Sequence, residues 1–184
     1  VIRYKQLHHS DLDGLNCIDR SDYSDTWCVV SEGKIKQKQR VFNHPGFSST
    51  QWEHVLSKFA REIQNNETLI FGAFDRQLLV GLAGLEIDTL YGPEKNMLNV
   101  GPVWISKSYR RQGIGTRLMQ LVENAARKRN VTYLYISATP VPGTVEFYKR
   151  IGCVLLHNPD PELFTMEPED IHMVLTLQQM AADE

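Results

Sequence analysis

The chain has 184 residues, of which 42% are hydrophobic and 23% charged, with a formal net charge of −2. This length suits one domain with its own core, and the balanced charge argues against a nucleic-acid partner. No apolar run is long enough to span a bilayer, no secretory-signal pattern opens the sequence, and Cys17, Cys28 and Cys153 show neither metal-ligand nor disulfide spacing, so a cytoplasmic protein with reduced thiols, no membrane association and no metal is expected.

Residues 1–7 read as a short strand. A helix then begins at Asp11-Leu12-Asp13, with Leu12, Leu15 and Ile18 as its buried face. Asp11, Asp13, Asp19, Asp22 and Asp25 lie around it. They read either as helix capping and solvated surface or as an acidic rim that steers a cationic amine. Residues 26–30 and 34–42 form two strands joined at Glu32-Gly33. Asn43-His44-Pro45-Gly46 breaks the chain, and Thr50-x-x-Glu53 reads as a capping box. The helix that follows, to about Asn65, carries Trp52, Val55, Leu56, Phe59 and Ile63 at helical spacing, a core stripe.

Residues 68–74 and 78–87 flank Asp75-Arg76-Gln77 as an antiparallel hairpin, and Tyr91-Gly92-Pro93-Glu94 is the next turn. A strand over 97–106 contains Gly101-Pro102. Proline has no N–H for a ladder, so a bulge is expected there. It would splay this strand from a neighbour and leave main-chain groups free for an extended ligand.

The strand runs into Tyr109-Arg110-Arg111-Gln112-Gly113-Ile114-Gly115-Thr116-Arg117-Leu118. Glycines here let a backbone approach a ligand, and the helix that follows offers free N–H groups and the positive end of its dipole. With Arg110, Arg111 and Arg117 nearby, the turn suits a phosphate or pyrophosphate. A dinucleotide fingerprint would need a third glycine where Leu118 stands, and a kinase-like phosphate loop would need Gly-Lys-Ser/Thr. Neither is present.

Ile114, Leu118, Leu121, Val122 and Ala125 form one face of the helix after the turn. Arg127, Lys128 and Arg129 sit in its last turn, where the dipole favours cations. Then come a strand over 131–137, a turn at Pro140-Val141-Pro142-Gly143, a short helix over 145–151 capped by Thr144, and a strand over 153–157. A proline-containing acidic loop over 158–170, a strand over 171–177 and a frayed tail at 181–184 complete the chain. This order predicts a mixed α+β, α/β-type arrangement on one mainly antiparallel sheet, with a parallel crossover across the glycine turn.

Two motifs carry a family resemblance. Arg110-x-x-Gly113-x-Gly115 resembles the pyrophosphate loop of the GNAT N-acetyltransferases. Phe147-Tyr148-Lys149-Arg150-Ile151-Gly152-Cys153 is similar to their Phe-Tyr-x-x-x-Gly-Phe segment, with Cys153 replacing the last aromatic. The resemblance covers residues 68–157, about half the chain. It implies a single GNAT-like domain with a twisted sheet flanked by helices and splayed at the cofactor. Residues 1–65 would be a variable acceptor-side part, 68–157 the acetyl-CoA-binding core, and 158–184 a C-terminal loop and strand. One departure is the turn before the second motif, where Val141-Pro142-Gly143 stands in place of the asparagine that many members carry.

The resemblance also implies the chemistry. Acetyl-CoA is the donor and a primary amine the acceptor, with direct attack in a ternary complex. The main chain of Val103 and Ile105 would hold the pantetheine arm. Arg110 and the N–H groups of Arg111, Gln112, Gly113, Gly115 and Thr116 would hold the pyrophosphate. Tyr148 would protonate the leaving thiolate. The residue matching the catalytic glutamate of protein-lysine-acetylating relatives is Asn99, which cannot take a proton, so Glu86 is the substitute base. A main-chain N–H at the bulge would meet the oxyanion. The acidic rim and the 158–170 loop favour a small cationic amine. A protein or peptide N-acetyltransferase, an acyl-CoA sensor and an inactive relative are the alternatives. Dimers being common in the family, a homodimer is allowed.

Overall fold

The computed structural model describes residues 1–177. Strand β1 (Ile2–Gln6) is followed by a 3-10 helix over His9–Cys17. Leu12 and Leu15 are buried in it, and Ile18 just after it. Their spacing of three residues matches the 3-10 period, so this segment is not the α-helix that an apolar face alone suggests. Strands β2 (Asp22–Ser31) and β3 (Lys34–His44) pair only with each other, as a two-stranded sheet with a bulge between Ser24 and Thr26.

Helix α1 (Ser49–Gln64) starts at a capping box two residues earlier than Thr50 and Glu53 suggest. Ser48 Oγ accepts from Gln51 N–H at 3.3 Å, and Gln51 Oε1 accepts from Ser48 N–H at 2.8 Å. Ser48 is already extended and Gln51 returns the bond, so Thr50 falls inside the first turn.

The main sheet has seven strands in the order β1-β4-β5-β6-β7-β9-β8. These are β4 (Thr68–Asp75), β5 (Leu78–Glu86), β6 (Met97–Ile105), β7 (Tyr133–Ala138), β8 (Val154–Leu155) and β9 (Ile171–Thr176). Only β6 and β7 run parallel. Helix α2 (Ile114–Arg127) makes the crossover between them, as a parallel pair requires.

Side-chain alternation sends each strand's residues to two cores. On one face Leu98, Val100, Leu134, Ile136 and Met173 pack with Leu118, Met119 and Val122 of α2. On the other, Ile70 and Leu82 pack with Trp52 and Phe59 of α1, and Trp104 joins them.

Two further expectations are corrected. Helix α3 spans Pro142–Arg150 and is entered from Val141, so Thr144 lies inside it and is not the cap. Pro142 brings a fixed φ suited to the first helical turn. The 158–170 segment is not all loop, since it holds helix α4 (Pro161–Met166). Asp160 Oδ1 caps it, accepting from Glu162 N–H at 3.0 Å and Leu163 N–H at 3.4 Å, with Pro161 as the first residue. Strand β8 keeps only two residues of the expected five-residue run. The tail at 181–184 lies outside the described residues.

Candidate active site

The bulge falls on Gly101-Pro102. Ala83 pairs with Val103 and Leu85 with Val100, so Gly84 alone faces two residues of β6. The place is built small, since a Cβ on Gly84 would lie 3.2 Å from Pro102 Cδ. Before the bulge, Met97 to Val100 pair with Tyr133 to Ile136 of β7. After it the ladder stops. Val103 and Ile105 keep their β5 partners, Ala83 and Gly81, and have none on β7. The result is a wedge between two parallel strands, lined by main-chain groups that one extended ligand can pair with.

The wedge points at the start of α2. Arg111 (φ 60) and Gly113 (φ 80) both adopt left-handed backbone, which turns the chain from β6 into the helix. Gly113 is the N-cap, and no side chain caps α2. The first helical bond recorded here is Arg117 N–H to Gly113 O at 3.0 Å. The N–H groups of Ile114, Gly115 and Thr116 precede it and face outward along the dipole. No acidic residue lies in that turn. The arrangement suits a diphosphate.

Gly115 joins the two sequence motifs, because a Cβ there would meet the Phe147 ring of α3 at 3.2 Å. Arg110 points elsewhere. Its guanidinium donates to Ile105 O at 3.1 Å and Ser21 O at 3.0 Å and pairs with Asp22 at 3.0 Å, tying the turn to β2. Gln112 Nε2 donates to Ser108 O at 3.1 Å. Arg111 and Thr116 are exposed.

Tyr148 is 5% exposed, and its hydroxyl has no hydrogen bond among the described residues. Burial pushes its pKa up, with Cys153 and Asp170 adding to the shift. Cys153 is buried beside it and its thiol is pushed up to about 12 by burial, and burial raises the Cys28 thiol as well. Neither buried thiol is set up as a thiolate nucleophile.

A polar stripe crosses the sheet on the α1 face. Glu86 ends β5 and accepts from Tyr91 Oη at 3.0 Å. Asn99 stands on β6 in register with Tyr135 of β7. It is 8% exposed, and its Oδ1 is buried with no hydrogen-bond partner. Tyr135 Oη lies 2.7 Å from His172 Nδ1, and His172 Nε2 lies 3.1 Å from Glu167 O. A carbonyl can only accept, so Nε2 carries the proton and Tyr135 donates to Nδ1.

Beyond the stripe, Asp160 locks α4 to the turn before β6. Its Oδ2 accepts from Gly92 N–H and pairs with Lys95, both at 3.0 Å. Arg40 of β3 makes two bonds to Glu169, at 2.7 and 3.1 Å, so the hairpin is latched to the same segment. Both ties hold the 158–170 segment against its neighbours in the fold.

The aspartates around the 3-10 helix are largely engaged. Asp11 pairs with Lys5 at 2.6 Å, Asp22 with Arg110, and Asp19 accepts from Ser21 N–H at 2.8 Å. Their arrangement fits capping and surface pairing better than a free acidic rim. Among the described residues no cluster of three or more His, Cys, Asp or Glu could hold a metal ion. No helix there is long and apolar enough to cross a membrane.

Sequence reasoning left out Tyr135, His172 and Asp160, and it weighed Asn99 only as a missing base. Period-2 alternation places Tyr135 and His172 on the polar side of their strands, but nothing local says that they meet. Asp160-Pro161 is a legible helix start that the surrounding acidic residues obscured.

Comparison with known proteins agrees with this geometry. The model of the acetyltransferase (GNAT) family matches residues 34–153. Among solved structures, nourseothricin acetyltransferase is 18% identical, with 96% of this chain and 99% of that chain covered and a TM-score of 0.67. The PaiA N-acetyltransferase from Thermoplasma acidophilum, solved with coenzyme A, is 19% identical over 96% and 99% of the two chains, with a TM-score of 0.63. The ribosomal-protein-S18-alanine N-acetyltransferase from Escherichia coli is 16% identical over 100% and 99%, with a TM-score of 0.62. At these identities the likeness is one of fold.

Proposed function

The chain belongs to the acetyltransferase (GNAT) family, and from that premise we propose that it moves an acetyl group from acetyl-CoA to the primary amine of a small molecule, by direct attack in a ternary complex. One observation carries the reading: the wedge between β6 and β7 opens onto the uncapped start of α2. A pantetheine arm needs main-chain partners along its length, and a pyrophosphate needs N–H donors at its end. Both stand in line here.

In this reading the main chain of Val103 and Ile105 pairs with the pantetheine amides. The N–H groups from Arg111 to Thr116 cradle the pyrophosphate. Arg110 holds the loop through Asp22 and Ser21, and so acts on the site by shaping it. The incoming ammonium first loses a proton, to Glu86 directly or through water. Its nitrogen then bonds to the thioester carbon, and negative charge gathers on the carbonyl oxygen, where a bulge N–H meets it. As the intermediate collapses the carbon–sulfur bond breaks and CoA leaves. Tyr148 donates a proton toward the departing sulfur and regains one from solvent. Burial keeps the Tyr148 proton in place until that moment. Asn99 Oδ1, buried and unbonded, suits a hydrogen bond from the amine.

The division of labour follows. Residues 68–157 hold the donor, 1–65 shape the acceptor side, and 158–177 close it. The fixing of the 158–170 segment by Asp160 and by the Arg40–Glu169 pair supports a small acceptor over a protein chain, because a segment held in place leaves less of an open groove. The test is release of the CoA thiol over an amine panel that includes a peptide N-terminus. Turnover of small amines with none on the peptide is expected. Turnover of the peptide alone would replace this reading with a protein acetyltransferase. Acetyl-CoA binding with no turnover on any amine would leave a sensor.

A further inference from the structure

Arg20 follows the 3-10 helix and ends in a corner between two aromatic rings. Its guanidinium carbon lies 4.0 Å from the Phe47 centroid and 4.1 Å from the Trp104 centroid. The two rings meet at 88°, with centroids 5.5 Å apart. Trp52 and Phe59 of α1 back the Trp104 ring, at 6.0 and 5.8 Å, so the corner is firmly packed.

A guanidinium carries five N–H donors and a permanent charge. Among the described residues no oxygen receives any of the five, and no carboxylate pairs with the charge. Asp19 and Asp22, its neighbours in sequence, are engaged elsewhere, Asp22 by Arg110 at 3.0 Å and Asp19 by the Ser21 N–H at 2.8 Å. The ring faces offset only part of the cost of drawing a cation out of water. Burial, with Arg110 nearby, lowers the Arg20 pKa to about 10. Yet its nitrogens are not among the sealed, unpartnered atoms of the described residues, so the donors remain within reach of a ligand.

Position sets the ligand. Val103 and Ile105 pack on the α2 side of β6, whereas Trp104 packs on the α1 side. The Arg20 corner therefore lies on the α1 face of β6, the acceptor side in the reading above, with Arg110 of the loop at its edge. We propose that Arg20 docks a carboxylate of the acceptor, so that the substrate amine belongs to an amino-acid-like molecule. A planar carboxylate matches the guanidinium fork with two parallel bonds. A polycationic acceptor would instead meet an uncompensated positive charge.

This rests on the acetyl-transfer reading, and the test separates the two. Acceptors would be ω-amino acids from glycine to 6-aminohexanoate, each beside its amide, which differs only in the carboxylate. At the best-fitting length the wild type is expected to favour the acid by ~10–100-fold in kcat/KM, the range of a charge-assisted bond. Arg20→Gln should bring acid and amide to within about 2-fold of each other while leaving the amide rate in place, and Arg20→Lys, which keeps the charge but loses the fork, should fall between.

If no amine is turned over while acetyl-CoA binds, the transfer reading fails on its own. Docking is then read from tryptophan emission of the CoA-bound protein titrated with 6-acetamidohexanoate and its amide. Saturable change with the acid, absent with the amide and absent in Arg20→Gln, supports the proposal. Equal handling of acid and amide by the wild type overturns it. So does a loss of acetyl-CoA affinity of ~5-fold or more in Arg20→Gln, which would assign Arg20 to a cofactor phosphate.

Discussion

The two sides of β6 recognise in different ways. On the α2 side the wedge past Gly101-Pro102 and the uncapped turn at Gly113 offer main-chain groups. Arg110 and Gln112, the side chains that look made for a phosphate, are turned to the protein itself. On the α1 side the features are side chains from remote segments: Asn99, Tyr135 and His172 on three strands, and Arg20 against Phe47 and Trp104. A donor common to a whole family suits a backbone cradle, which tolerates sequence change. An acceptor that differs between members suits side chains, which can be exchanged.

The sharpest break in this comparison lies at Tyr148, the one cofactor-side residue given a side-chain task. Tyr148→Phe should lower kcat by ~100-fold or more with little change in acetyl-CoA affinity. An unchanged kcat, measured by CoA-thiol release, would remove it from the mechanism. Next is Gly113→Val. It puts a β-branched residue at φ 80, where strain of ~1–3 kcal/mol weakens acetyl-CoA binding by ~10–100-fold. No atom lies within 4 Å of the added Cβ, so the change brings no clash, and the strain alone should lower the melting temperature by ~2–4 °C for each kcal/mol. Gly115→Val should also abolish cofactor binding, but there the new side chain presses on Phe147, so some loss of stability is expected alongside.

On the other side Asp160→Ala leaves Lys95 and the start of α4 without their partner. A loss of about 3 kcal/mol in a denaturant melt is expected. Asp170 sharpens the pH dependence of the same segment. Burial, with Glu167 and Glu169 nearby, raises its carboxyl to about 7. A raised carboxyl contributes stability that is fully present below the unfolded value, 3.8, and is lost as pH rises through the folded one. Asp170→Asn should therefore raise Tm more at pH 8 than at pH 5, by ~2–4 °C for each kcal/mol recovered. An equal gain at both pH values would contradict that environment. Smallest of all, Arg111→Ala and Thr116→Ala should each change acetyl-CoA affinity by less than ~3-fold, because the cradle uses their N–H groups and not their side chains.

Much of the α2 side, its bulge and its turn, was legible in the sequence because it is local. Gly101-Pro102 announces a bulge through a missing N–H, and Gly113-x-Gly115 announces a turn that admits a ligand. Those residues act within a few positions of themselves. Sequence could not say that Gly115 touches Phe147, or that Arg110 is drawn to Asp22, since both need the sheet to close first. The α1 side was mostly illegible for the same reason. Arg20 looks like any surface arginine until Phe47 and Trp104 meet around it. The acidic residues read either as caps or as a rim until Lys5 and Arg110 paired with two of them. The caps of α1 and α3 were misplaced by two and three residues, because Ser48 and Pro142 compete with equally good signals beside them.

The most direct measurement is calorimetric titration with acetyl-CoA, with NAD as a control that carries a pyrophosphate but no pantetheine. Saturable binding of acetyl-CoA in the micromolar range, one per chain, weakened ~10–100-fold in Gly113→Val and absent for NAD, is the result predicted by a wedge and a phosphate cradle acting together. No binding of acetyl-CoA, or equal binding of NAD, would contradict it, and the turn before α2 would then be a structural turn alone.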